Sequence, residues 1–140
     1  MSLYKTILVT LEGTPTDRAI IEHIIPLAQV MKSRVVLLHV ASGVPAKYHR
    51  TDAAGKEVEE SQAYLERVRA ELAAAGIPTE PELAYGEPAK EIIKWVEQRG
   101  CDLVAMSTHG HKFVADLVLG ATAFEVQHSL RVPVLLLRAK

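Results

Sequence analysis

The chain has 140 residues, and its 16 Lys and Arg nearly balance its 17 Asp and Glu. That length fits one domain, residues 1–140, with a core of its own, and the charge balance lacks the basic excess of a dedicated nucleic-acid or anionic-membrane binder. A single cysteine, Cys101, excludes an intramolecular disulfide and a cysteine-only zinc site. No apolar stretch is long enough to span a membrane.

The opening, MSLYKTILVTLEGT, lacks a basic n-region and a long apolar h-region, so a cytoplasmic chain is expected. Tyr4 to Leu11, centred on Ile7-Leu8-Val9, predicts the first strand. Thr16 to Met31 follows with Ala19, Ile20, His23, Ile24, Leu27, Ala28 and Met31 at helical spacing. Thr14 or Thr16 is the expected N-cap, and Pro26 is expected to kink or bend this helix. Val35 to Val40 is a second apolar strand. Ala41 to Lys56, with Gly43, Pro45 and Gly55, reads as an irregular surface segment.

Glu57 to Ala75 repeats Tyr64, Leu65, Val68 and Leu72 above a charged face, and Gly76 and Pro78 stop it. Thr79 to Tyr85 carries Pro81 and therefore predicts an edge or irregular strand. Pro88 to Arg99 turns Ile92, Ile93 and Val96 inward and stops at Gly100. Leu103 to Met106 is a strand, Gly120 to Leu130 a last helix, and Val132 to Leu137 a last strand. Unbroken apolar runs suit strands covered on both faces. Their alternation with helices predicts an α/β fold, a three-layer sandwich around a five-stranded parallel sheet of Rossmann-like kind.

In such a sheet the ligand sits beyond the carboxyl ends of the strands, where strand order reverses. The strands deliver Thr10 to Thr14, His39 to Ala41, Tyr85 to Glu87 and Met106 to His111 to that edge. The segment Met106-Ser107-Thr108-His109-Gly110-His111-Lys112 is the richest. Gly110 permits close approach of backbone to an anion, and Gly120 opens the last helix at its positive end. Ser107, Thr108 and Thr122 add hydroxyls and Lys112 a cation, which together point to a phosphate site.

No G-x-x-x-x-G-K-[ST], G-x-G-x-x-G or G-x-S-x-G pattern competes with this reading. Glu12 stands alone where a receiver domain needs an acidic pair. His109 and His111 flank Gly110, but no carboxylate or cysteine stands near them in sequence, so no metal site is read. His39 and His23 read as core residues, and His49 and His128 as solvated. Cys101 reads as a small buried residue, and Trp95 as packed partly on the sheet.

Taken in order, these residues resemble the universal stress protein family over the whole chain. The resemblance rests on Lys5 to Thr14, on Leu37-Leu38-His39-Val40, and on Gly86-Glu87-Pro88-Ala89 before Glu91-Ile92. It continues through Cys101 to Met106 and Pro133 to Arg138. It implies the adenine nucleotide alpha hydrolase-like form of the fold. The family's nucleotide-binding branch carries G-x2-G-x9-G-[ST]. Here that spacing survives as Ser107, Gly110, Gly120 and Ala121, with Ser107 for the first glycine and Ala121 for the hydroxyl residue.

By that resemblance, adenine and ribose lie over Thr10, Glu12, Val40 and Met106. The phosphates follow past Ser107 and His109 along Gly110, His111 and Lys112, and at Gly120, Ala121 and Thr122. Glu12 replaces the family's usual Asp and carries its carboxylate, meant for ribose hydroxyls, one methylene further out. Ser107 is expected to narrow the pocket, and Ala121 to remove a hydrogen bond worth about 0.5–1.5 kcal/mol. The implied ligand is ATP, ADP or AMP, with Mg2+ accompanying ATP. The implied role is a stress-response or signalling module that presents a surface to a protein partner. The implied assembly is a homodimer through Val132 to Leu137, an apolar strand that invites pairing if left bare at a sheet edge. Alternatives are a partner-binding dimer without nucleotide, and a slow ATPase with His109 as base.

Overall fold

The computed structural model describes residues 3–41, 52–108, 122 and 124–139. Their elements run β1 (Thr6–Leu11), α1 (Asp17–Met31), β2 (Arg34–Ala41), α2 (Asp52–Ala74), β3 (Thr79–Tyr85) and α3 (Pro88–Arg99). They continue through β4 (Leu103–Thr108), a helical stretch α4 (residues 124–129) and β5 (Val134–Arg138). The five strands form one sheet in the order β3-β2-β1-β4-β5, and every neighbouring pair is parallel. The expected α/β architecture is what forms, with β1 at its centre.

Strand pleating divides the apolar residues between two faces. Ile7, Val9, Leu11, Val35, Leu37, Leu103 and Ala105 meet α1 and α2 through Ile20, Ile21, Ile24, Leu65, Val68 and Leu72. Leu8, Val36, Leu38, Val104 and Met106 meet α3 and α4 through Ala89, Ile92, Val96 and Val126. Each fully buried Ile, Leu or Val side chain is worth about 1.5–3 kcal/mol, so a one-residue slip of any central strand is strongly disfavoured.

Several local expectations change. The second helix begins at Asp52 rather than Glu57, so residues 52–56 are helical. Glu57 marks where its apolar repeat begins, not where its backbone does. Residues 42–51 of the expected irregular segment lie outside the described residues. The buried stripe of α1 is Asp17, Ile20, Ile21, Ile24 and Ala28, and His23 is exposed, so it is not a core residue. Thr16 occupies the N-cap position but makes no side-chain cap; its hydroxyl pairs with that of Thr14 at 2.6 Å.

Helix α1 runs through Pro26 as one element. β5 starts at Val134, after Pro133. β3 lies at an edge, as Pro81 indicated, with Pro81 in register with Leu37. The opposite edge is β5, whose Leu136 is exposed.

Candidate functional site

From β1 the sheet grows through β2 to β3 on one side, then the chain crosses back to β4 and β5 on the other. Strand order therefore reverses between β1 and β4, which places the crevice beyond Leu11 and Thr108. Register brings three expected site residues together there. Thr10 pairs with Leu38, and Val9 pairs with Ala105, so Thr10, Val40 and Met106 stand within one or two residues of the same level on adjacent strands. Each is two residues beyond a member of the second core cluster, so all three project on the α3 face. Met106 is buried in that cluster, and Val40 packs at its rim. The result is a small, mostly apolar shelf with one hydroxyl.

Glu12 follows directly on β1 and is half-buried. Ser107 is buried, and strand alternation sends it to the Ala105 side, away from Thr10, Val40 and Met106. Thr122 is helical and half-buried. His109, Gly110, His111, Lys112, Gly120 and Ala121, with the phosphate cradle and the catalytic base expected of them, lie outside the described residues. Among the described residues no group of three His, Cys, Asp or Glu is arranged to hold a metal ion, and no helix is long and apolar enough to cross a membrane.

The segment carrying Glu12 is gripped by side chains from three elements. Asp17, in the first turn of α1, is fully buried. Its carboxylate accepts the amide hydrogen of Glu12 at 3.0 and 3.1 Å and that of Gly13 at 2.8 Å. Gly13 adopts φ +82°, a left-handed turn that glycine takes without strain. Tyr64 of α2 donates its hydroxyl to Asp17 at 2.6 Å. Burial first, and then the bond to Asp17, push the Tyr64 phenol well above its usual range, so it remains a donor.

His39 Nδ1 lies 2.8 Å from the Leu11 carbonyl oxygen; a carbonyl only accepts, so this nitrogen carries the hydrogen. Alongside, Arg18 and Glu71 form a two-pronged pair at 2.9 Å that joins α1 to α2. Periodicity alone misses Asp17, because a count of apolar positions skips a carboxylate that sits on the buried stripe. Tyr64 reads in sequence as one more apolar repeat of α2.

The amino ends of the strands are built differently. Asp102 accepts the amide hydrogens of Lys5 at 2.9 Å and Thr6 at 3.1 Å. Arg99, lying over the Trp95 ring with 4.9 Å to its centroid, pairs with Glu80 at 2.7 Å and also with Glu82. Arg34 stands 3.8 Å from Glu80. A hollow of about 290 Å³ lies here, lined by Thr6, Arg34, Val36, Glu80 and Arg99. Its two guanidiniums are matched by Glu80 and Glu82, so it presents little net charge to a ligand.

The family model for universal stress proteins matches residues 3–138. The chain belongs to the universal stress protein family. Universal stress protein MJ0531 of Methanocaldococcus jannaschii is 27% identical over 98% of this chain and 84% of its own. The solved structure of MJ0577 from the same organism superposes with a TM-score of 0.82 at 26% identity, covering 99% of this chain and 98% of that one.

Two more distant universal stress protein structures share the fold. One is a complex with cAMP, with TM-score 0.71, 18% identity and coverage of 97% and 98%. The other, from Archaeoglobus fulgidus, is a complex with dAMP, with TM-score 0.70, 16% identity and coverage of 96% and 98%.

Proposed function

We propose that this universal stress protein binds an adenine nucleotide beyond the carboxyl ends of β1 and β4, and works as a homodimeric stress-response or signalling module. The observation that carries the reading is the shelf of Thr10, Val40 and Met106 at the switch point, with Glu12 on the adjoining turn. An apolar shelf suits the face of a purine, and a carboxylate at its margin suits ribose hydroxyls. The cAMP and dAMP complexes of family members support an adenine ligand. Gly110, His111, Lys112, Gly120, Ala121 and Thr122, past Ser107 and His109, are the proposed phosphate side. Mg2+ would accompany ATP there.

Placement of Ser107 on the face away from the shelf favours retention of the adenine and ribose portion despite that departure from the family motif. Loss of the Ala121 hydroxyl falls on the phosphates, so the preferred ligand is a less phosphorylated nucleotide. Calorimetry with AMP, ADP and ATP, with and without Mg2+, tests this. Affinity for AMP equal to or tighter than that for ATP is the expected result. No heat at millimolar concentrations of any of the three would refute it and leave the partner-binding dimer standing.

The dimer is proposed through β5. Its outer edge is apolar, with Leu136 41% exposed, whereas β3 at the other edge carries Pro81 between Glu80 and Glu82. Such residues block strand addition on the β3 side only. Sedimentation should give a dimer for the wild type and a monomer for Leu136→Arg; a monomeric wild type contradicts the assembly.

A further inference from the structure

We infer that Asp17 and Tyr64 are positioning residues for the ligand site, fixing the turn from which Glu12 meets the ribose. This rests on the nucleotide reading above. A carboxylate shut away from water is costly unless its oxygens are well satisfied. Asp17 is completely buried, and its oxygens take two backbone amides and one phenol. Its place at the start of α1 also puts negative charge at the positive end of that helix.

The two amides belong to Glu12 and Gly13, so the carboxylate sets the direction in which the chain leaves β1. It is itself held by Tyr64, 47 residues away on α2. The turn is therefore oriented by a second helix as well as its own. His39 fixes the Leu11 carbonyl from β2, so the Leu11–Glu12 peptide is held at both its carbonyl and its amide hydrogen, and the next peptide at the Gly13 amide. Without the phenol, the carboxylate loses the donor that fixes its rotation, and the Glu12 amide loses a fixed acceptor. The expected consequence is a weakened carboxylate–ribose contact while the shelf under the base stays intact.

Tyr64→Phe keeps the ring that packs on the first core cluster and removes only the hydroxyl. Asp17→Asn keeps the shape but turns one acceptor into a donor. Affinities for AMP and for its 2′,3′-dideoxy analogue are measured by calorimetry on the full chain. Amide hydrogen exchange at Glu12 and Gly13 is followed in parallel in the ligand-free protein. Tyr64→Phe should weaken AMP about fivefold and the dideoxy analogue less than about twofold, with exchange at both amides faster by about tenfold. Asp17→Asn should act in the same direction and more strongly.

Equal affinity of the wild type for the two ligands overturns the proposal, because Glu12 then reads no ribose hydroxyl. An unchanged ligand ratio with unchanged exchange in Tyr64→Phe also overturns it. A wild type that binds neither ligand defeats the nucleotide reading. Faster exchange at Glu12 and Gly13 in Tyr64→Phe then still supports the grip on the turn, and unchanged exchange overturns it.

Discussion

Both ends of β1 are held by aspartates, in contrasting surroundings. At the amino end Asp102 accepts the amides of Lys5 and Thr6 from a partly exposed position. At the carboxyl end Asp17 does the same for Glu12 and Gly13 with no exposure at all, and a tyrosine from another helix completes its shell. Water can replace Asp102 at little cost, but it cannot reach Asp17. The neighbouring groups follow the same division. Ion pairs line the hollow at the amino edge, whereas the carboxyl edge carries Thr10, Val40 and the buried Met106 beside Glu12. A bare strand end needs only a partner for its amides; a strand end that, as proposed, aims Glu12 at a ligand needs that partner immobilised.

The contrast is sharpest in stability. Asp17→Ala removes the buried acceptor of three part-buried donors and should lower the unfolding free energy by about 3 kcal/mol. Asp102→Ala opens its amides to solvent and should cost only about 1 kcal/mol. Urea denaturation measures both; equal losses would remove the distinction between the two ends.

A smaller effect appears at alkaline pH. Burial, with the Asp102 charge adding to it, pushes the Cys101 thiol from 9.0 up to about 11, and Tyr64 is raised further. Unfolded chains lose these protons first. Stability is therefore complete below about pH 9 and declines as pH climbs through the folded values. Cys101→Ala should lack the part of the decline that sets in near pH 9, and Tyr64→Phe the part that sets in near pH 10. A urea midpoint that stays flat over this range contradicts the assignment.

Architecture was legible because strand and helix patterns are periodic, and β1, β2, β4 and β5 carry unbroken apolar runs that few other arrangements can bury. Pro81 marked an edge strand because it cannot donate to a ladder. The shelf followed from the switch-point rule joined to a family motif. What pattern could not supply was Asp17, since a buried carboxylate is justified only by partners such as the Glu12 amide and the Tyr64 hydroxyl, which become neighbours after folding. His23 went astray for the related reason that it lies one step off the stripe that Asp17 and Ile21 define.

The site itself is tested most directly by an NMR titration with AMP that follows the methyl groups of Thr10, Val40 and Met106, with Val36 in the amino-edge hollow as the internal control. Saturable shifts at Thr10, Val40 and Met106, with Val36 still, are the expected result. Shifts confined to Val36, or none at all at millimolar AMP, would contradict the account.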